Sequence, residues 1–494
     1  MAKFPTKQQE LGQFFTPKHI VNFILDNVSL KRKNTIADIS CGDGKFLSYA
    51  FNKIKKLTQD EISTVSQIYG IELSDSVLQT AHERILRQCE SKKSELILLN
   101  NLVSMNTITS SVKEILDKFP SIKQDDGFDI IVGNPPYVTL AVADNHLRED
   151  PSYSQIICGQ VNLATLIIVR AFSLLKNNGR LGLLLPKSLF RVESYQKLRD
   201  FLMSNFEIDY LVDVGAGFKE VRGEQVIFIG RKNKNPSNKS IRVGLWKKDE
   251  LTPSLTDIPK KNLIRFGIFQ LYDNIKVHSL VSKIIGKHQN LESICNGKIY
   301  RGISIGANSS CVSPIQKKHY RTAIRGDSIR KFGYKYLIYL KNQNYPKPTD
   351  EVQSKKIVAQ NIFSSESGIV ATYDDVGLIP LNTITNIFPL NEDPYYVLGI
   401  LNSKLARLFM VFVIFAKARL TMHTDRHYIG LIPIPKIDSK LKNSIIKQVK
   451  SSLNGVHSDT LNSLVCSAFK LSSKEEQLIE DELIRFGKDG KKNI

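Results

Sequence analysis

Tryptophan occurs once in the 494 residues, and the six cysteines are scattered with no C-x-x-C pair. A disulfide framework needs a pattern of spaced, pairable cysteines, so the thiols are read as reduced, in a cytoplasm. The first residues lack the basic start, apolar centre and small-residue site of an export leader, and export is not expected. The most membrane-like run, "LFMVFVIFA" at Leu408–Ala416, is too short to cross a bilayer and reads as a core helix. Also missing are a G-x-G-x-x-G dinucleotide turn, a G-x-x-x-x-G-K-[ST] phosphate loop and an H-E-x-x-H metal helix.

Acid is the scarcer charge. Lysine and arginine number 69 against 48 aspartates and glutamates, a net of +21. Residues 1–240 hold 31 basic and 26 acidic side chains, and residues 241–494 hold 38 and 22. A nearly balanced first half joined to a basic second half points to a polyanion as the partner of the second half. A composition of 42% hydrophobic and 24% charged residues is that of a globular protein with room for two or three cores.

The first half alternates strand-like and helix-like runs. Strands are expected at Thr35–Ile39, Ile68–Glu72, Glu95–Leu99, Phe128–Val132, Arg180–Leu185, Ile208–Val214 and Gln225–Gly230, with helices at Lys45–Lys56, Ser76–Gln88, Leu163–Leu175 and Tyr195–Asn205. That alternation implies βαβ units and a doubly wound, mostly parallel sheet, whose ligands bind outside the carboxyl ends of the strands. Periodicity lapses in "DELTPSLTDIPKKN", Asp249–Asn262, which is taken as the boundary between domains 1–250 and 251–494. Beyond it an irregular α+β region is expected, with a helical run at Asp393–Phe415.

Three stretches carry chemistry. "ADISCGDGKFL", Ala37–Leu47, ends a strand in Asp38 and turns through Cys41, Gly42, Asp43 and Gly44 into a helix. Such a turn lets backbone approach a ligand, and the acid can hold an amine or a hydroxyl. "GIELS", Gly70–Ser74, puts Glu72 at the next strand end, where it can accept two bonds from a ribose diol. Together they suggest a nucleoside cofactor without a pyrophosphate. "FDIIVGNPPYV", Phe128–Val138, stops a buried strand at Asn134, Pro135, Pro136 and Tyr137. An amino group on an aromatic base is a poor nucleophile because its lone pair is delocalised. Two acceptors, the Asn134 side-chain carbonyl and the Pro135 backbone carbonyl, can localise that lone pair, while Tyr137 stacks on the base. No general base is required before attack.

These stretches resemble the catalytic, cofactor and ribose motifs of the N6-adenine DNA methyltransferases, S-adenosylmethionine (SAM) being the cofactor implied. "GQFFTPKHIV", Gly12–Val21, is similar to the segment that precedes the glycine turn in the gamma class. Val161–Phe190 and Leu211–Ile229 continue the likeness to the TaqI type. Tyr300–Asn308, Tyr395–Ala406 and Gly430–Pro435 are similar to parts of its specificity domains. The resemblance implies that Thr16 and Pro17 touch the methionine end of SAM, together with backbone from Asp38 to Cys41, and that Gly42 and Gly44 shape the turn. Glu72 would hold the ribose, Asn101 the adenine amino group in place of the usual aspartate, and Pro136 a pocket wall. Phe218 would be a second aromatic against the extruded adenine, opposite Tyr137.

The expectation is therefore a SAM-dependent, Rossmann-like methyltransferase domain followed by a target-recognition domain. It would methylate N6 of a flipped adenine in double-stranded DNA within a restriction-modification system. A separate restriction endonuclease would be a further partner, and the place of action a prokaryotic cytoplasm at the nucleoid. No membrane and no metal are expected. Methylation of an exocyclic amine in RNA stays open as the alternative. In the second half, Arg330–Pro348 interleaves basic and aromatic residues that could track phosphates. "RLTMHTDRHYIG", Arg419–Gly430, is read as a DNA-facing loop.

Overall fold

A computed structural model describes residues 16–491 apart from 141–146, 148, 158–160, 216–222, 238, 248–249, 306–308, 344–351, 419–421 and 457. Phe218 and the start of the Gly12–Val21 segment lie outside the described residues. The chain divides into two compact units, Met1–Asp273 and Asn274–Ile494.

The first unit is built on nine strands: β1 (Ile36–Asp38), β2 (Ile68–Glu72), β3 (Leu102–Ser104), β4 (Phe128–Gly133), β5 (Leu175–Pro186), β6 (Phe206–Gly215), β7 (Gln225–Lys232), β8 (Ser240–Leu245) and β9 (Ser254–Pro259). Their order across the sheet is β9-β8-β6-β7-β5-β4-β1-β2-β3. β1 pairs parallel with β2 and β4, and β4 with β5, whereas β7 runs antiparallel between β5 and β6. This is the expected doubly wound α/β sheet. Alternation within each strand feeds two cores. Ala37, Ile131, Leu181, Leu183 and Leu185 face one, and Ile36, Ile130, Val132 and Leu184 face the other. Period-two runs of branched residues, apolar on both faces, require cover on both sides. Helices α1 (Lys18–Asn27), α2 (Lys45–Thr58), α3 (Asp75–Leu86), α4 (Lys92–Asn101), α5 (Leu163–Leu174) and α6 (Gln196–Asn205) flank the sheet. The order reverses between β1 and β4, so their carboxyl ends open a crevice.

Two expectations are corrected. Glu95–Leu99 is the centre of α4, and the strand follows it at Leu102–Ser104. The run "ELILL" has strand composition, but Ser91 caps a helix by accepting from the Lys93 N–H, and only Ser94 and Leu98, four apart, are buried on it. Leu96 and Leu99 stay exposed. The boundary also moves. Ser254–Pro259, read as linker from its Pro, Ser and Thr, pairs over six residues with β8 as the sheet's edge strand. Its one proline, Pro259, is tolerable at the end of an edge strand, where no second ladder is needed.

In the second unit, Ile299–Arg301, Ile384–Ile387, Lys356–Gln360 and Ala371–Asp374 form one four-stranded sheet in that spatial order. Val312–Ser313, Ile338–Lys341, Tyr320–Ile324 and Ile379–Pro380 form another. The run from Asp393 is helical as expected, but breaks at Asn402 and Ser403 and bends by 55°. Among the described residues no single helix is long and apolar enough to cross a membrane. The bent pair Pro394–Leu401 and Lys404–Ile414 passes by length and composition, and its apolar side chains are buried.

Gly44 caps α2 at φ +73°, and a Cβ there would lie 2.7 Å from Ala81 Cβ on α3. Left-handed backbone and this close approach each exclude a side chain. Gly44→Ala is expected to cost about 2 kcal/mol or more, read from the urea midpoint.

Candidate active site

The carboxyl ends of β1, β2 and β4 surround a cavity of about 570 Å³, a size suited to a cofactor. Of the residues singled out from sequence, Thr16, Asp38, Cys41, Gly42, Glu72, Asn134 and Pro136 line it. Asp38 is 2% exposed, and its carboxyl is pushed up to about 8 by burial, with Glu72 and Asp43 nearby adding to the rise and a Ser40 N–H bond opposing it. Burial beside the same acids also pushes the Cys41 thiol well up, so it is not a nucleophile here. Gly133, at the end of β4, sits so close to Asp38 that a Cβ would meet its Oδ1 at 2.6 Å.

Glu72 ties the two turns together. Its Oε2 accepts from the Gly42 N–H at 2.9 Å and its Oε1 from the Ser74 N–H at 3.1 Å. Each oxygen keeps a lone pair for a further donor. Gly42 has φ +53° and nothing within 4 Å of where a Cβ would stand, so its backbone is open to a ligand. Arg84 and Lys45 also line the cavity, Arg84 being held by the carbonyl and carboxylate of Asp43.

Asn134 lies where β4 ends. Its Nδ2 donates to Thr16 Oγ1 at 3.1 Å, which fixes the carboxamide so that Oδ1 faces the other way. That oxygen accepts from the Tyr137 hydroxyl at 2.5 Å, with the Leu184 carbonyl 3.1 Å from the same hydroxyl. The Tyr137 hydroxyl is held fully protonated by burial. Among the described residues no hydrogen bond reaches the Pro135 carbonyl. One acceptor is thus occupied by an O–H of the chain itself and the other is open. Asn162, which caps α5, donates to the Tyr137 carbonyl at 3.1 Å and steadies the turn.

Three positions expected at the cofactor, Asn101, Gly44 and Pro17, lie outside the cavity lining. Asn101 ends α4 and donates to the Val65 carbonyl at 3.1 Å, away from the cavity. Asn106, just beyond β3, lines it instead. The slip follows from the misplaced strand: with β3 at Leu102–Ser104, the polar residue after the strand is Asn106. Gly44 serves helix packing, not the cavity. Pro17 caps α1, its carbonyl accepting from Ile20 and Val21. Pro135 and Tyr137, expected at the base and not at the cofactor, are not among the residues lining the cavity, and the Tyr137 hydroxyl lies on the Oδ1 side of Asn134. The loop carrying Asn106 is clamped by the buried Arg170 of α5, which donates to the Thr107 and Ile108 carbonyls at 3.1 and 3.0 Å. Nothing in the local sequence pattern marked Arg170.

In the second unit, His423 pairs through Nδ1 with Asn361 Oδ1 at 2.8 Å, and Asp425 binds Arg301 at 2.6 and 2.8 Å. The described part of the loop expected to face DNA is therefore bonded within its own unit.

A family model described as N-6 DNA Methylase matches residues 1–254, and one described as a TaqI-like C-terminal specificity domain matches residues 320–434. The Type II restriction enzyme and methyltransferase RM.Eco57I of Escherichia coli is 27% identical over 259 residues, covering 41% of this chain and 26% of that protein. The Type II methyltransferase M.HincII of Haemophilus influenzae is 26% identical over 242 residues, covering 48% of this chain and 40% of that one. The match thus spans between about a quarter and two fifths of these relatives' lengths. The Type IIL restriction-modification enzyme MmeI in complex with DNA shares the fold at a TM-score of 0.62 and 14% identity, over 98% of this chain and 76% of that one.

Proposed function

Because the chain belongs to the N-6 DNA methylase family, we propose that it is a site-specific DNA methyltransferase that moves a methyl group from SAM to N6 of an adenine turned out of the duplex. The gamma-class, TaqI-type arrangement is part of this reading: a methyltransferase domain in the first half and sequence recognition by the basic second half. The observation that carries it is the Asn134 oxygen. It stands at the end of β4 beside the cavity, is aimed by Thr16, and already accepts a hydrogen bond from a hydroxyl.

The cavity's donor set fits SAM. Asp38 suits the cationic amino acid end, Glu72 a ribose diol, Asn106 the adenine edge, and Gly42 leaves its backbone open. When bound, SAM supplies an electrophilic methyl on a sulfonium. The chain's own work is positional and electrostatic. Asn134 Oδ1 and the Pro135 carbonyl accept the two N–H bonds of the base amine and draw its lone pair out of the ring. Tyr137, once its hydroxyl leaves Asn134, offers its face for stacking. The proton is lost afterwards to solvent.

Such an enzyme works at the nucleoid of a prokaryotic cytoplasm, with double-stranded DNA as substrate and a restriction endonuclease as counterpart. Restriction-modification relatives and a TaqI-like specificity match favour DNA over the RNA alternative. The test is to incubate the protein with tritiated SAM and unmethylated duplex DNA, RNA or protein, then digest to monomers. Label is expected in N6-methyladenine from DNA; label confined to RNA, to protein or to a methylcytosine overturns the reading.

Asp38 adds a pH prediction. A carboxyl raised from 3.8 to about 8 favours the ligand-free fold fully below 3.8, and that contribution is lost as pH climbs through 8. A cation against Asp38 returns it to the ionised form, so SAM binding near pH 7 is expected to release a proton. Affinity should then rise with pH until about 8. Calorimetry in buffers of different ionisation enthalpy reads the released proton, and Asp38→Asn should remove that share of it.

A further inference from the structure

The geometry points to Gln225 as a base-reading residue: its carboxamide recognises the edge of the target adenine that carries the amine and a flanking ring nitrogen. This rests on the adenine-methylation reading above and adds a residue to it. Gln225 opens β7 and is 1% exposed. Its Nε2 donates to the Tyr137 hydroxyl at 3.4 Å, and its Oε1 has no hydrogen-bond partner among the described residues. The same hydroxyl is 2.5 Å from Asn134 Oδ1, so one oxygen atom separates Gln225 from the acceptor assigned to the base amine.

Leaving a buried amide oxygen unpaired is costly, and most buried side-chain acceptors are paired. A ligand that arrives with a donor removes that cost. The Tyr137 hydroxyl now donates to Asn134 and accepts from Gln225. An adenine edge offers the same pair of functions from one rigid ring, an N–H donor beside a nitrogen acceptor. A glutamine amide matches such an edge with its N–H on the ring nitrogen and its oxygen sharing, as a three-centre bond, the amine N–H that Asn134 Oδ1 accepts.

The amide is also held in place. Lys187 is 1% exposed and places Nζ 2.7 Å from Asp213 and 3.4 Å from Glu224, while its N–H donates to the Glu224 carbonyl at 2.9 Å. This buried ion cluster fixes the backbone immediately before Gln225. Nothing in that cluster needs a polar side chain at the next position, where β7 otherwise continues as Val226, Ile227, Phe228 and Ile229.

The experiment starts from the recognition site, mapped as N6-methyladenine in DNA from cells that express the protein. Duplexes then carry adenine, 1-deazaadenine or 7-deazaadenine at the target position. Wild type is expected to lose roughly tenfold or more in kcat/KM on one of the two analogues. Gln225→Ala should lose a comparable factor on adenine and show no further loss on that analogue. Gln225→Glu, which keeps the shape and removes the donor, should behave likewise, and SAM binding reports that each variant is folded. If Gln225 only supports Tyr137, both variants will slow on all three duplexes and keep the wild-type ratios, which overturns the proposal. Equal wild-type activity on all three duplexes overturns it too. Absence of N6-methyladenine with wild type would instead be a failure of the methylation reading itself.

Discussion

Asn134→Ala is expected to reduce single-turnover methyl transfer by about 10²–10³-fold, the range seen when one preorganised polar group is removed from the reacting centre, while SAM affinity changes little. The argument rests on which atoms face which side. Nδ2 is engaged by Thr16 Oγ1, so the oxygen is presented to whatever replaces the Tyr137 hydroxyl. Alanine deletes that oxygen and leaves Asp38, Glu72 and Gly42 untouched. Asn134→Asp keeps an acceptor of the same shape but cannot donate to Thr16, so its loss should be smaller. Rapid-quench transfer with excess protein separates the chemical step from product release. A loss expressed wholly in SAM affinity would move Asn134 from the base to the cofactor.

Asp374→Ala should destabilise the second unit by about 3–5 kcal/mol, the usual cost of removing one partner of a buried ion pair. Lys356 Nζ and Asp374 Oδ2 meet at 2.5 Å with both side chains fully buried. Asp374 also accepts from the Val376, Gly377 and Leu378 N–H groups at 3.2, 2.9 and 2.8 Å, so one carboxylate organises the turn after its strand. Lysine alone would keep only the Leu378 and Ser354 carbonyls, at 3.1 and 3.4 Å. Burial already lowers the Lys356 pKa and Asp374 opposes that shift; without Asp374 it falls further. The unfolded chain then binds more protons than the folded one, so stability rises with pH. The variant's deficit should therefore shrink between pH 7 and 9 in urea titrations. A deficit that is unchanged over that range would mean the lost N–H bonds, not the stranded ammonium, dominate.

The legible parts of this protein were those encoded within a few consecutive residues. Phe128–Val138 announces a buried strand, a stop and a pair of acceptors in eleven letters. Ala37–Leu47 likewise encodes strand, turn and helix, because glycine at positive φ and an acid at a strand end are local events. Where a short apolar run could be strand or helix, as at Glu95–Leu99, composition could not decide, and the error pointed to Asn101 where Asn106 lines the cavity. A Pro- and Ser-rich stretch read as linker became an edge strand because β8 offered it a free ladder.

Sequence alone therefore determined the doubly wound sheet, the glycine turn, the acid that ends β2 and the Asn-Pro-Pro-Tyr stop after β4, since each depends on periodicity or on residues adjacent in the chain. Tertiary structure alone decided what lies against them. It set Thr16 behind Asn134 across 118 positions, Gln225 beside Tyr137 across 88, and a clamp from α5 on the Asn106 loop. Those pairings follow from strand order, and strand order is set by how nine strands and their helices bury two faces at once.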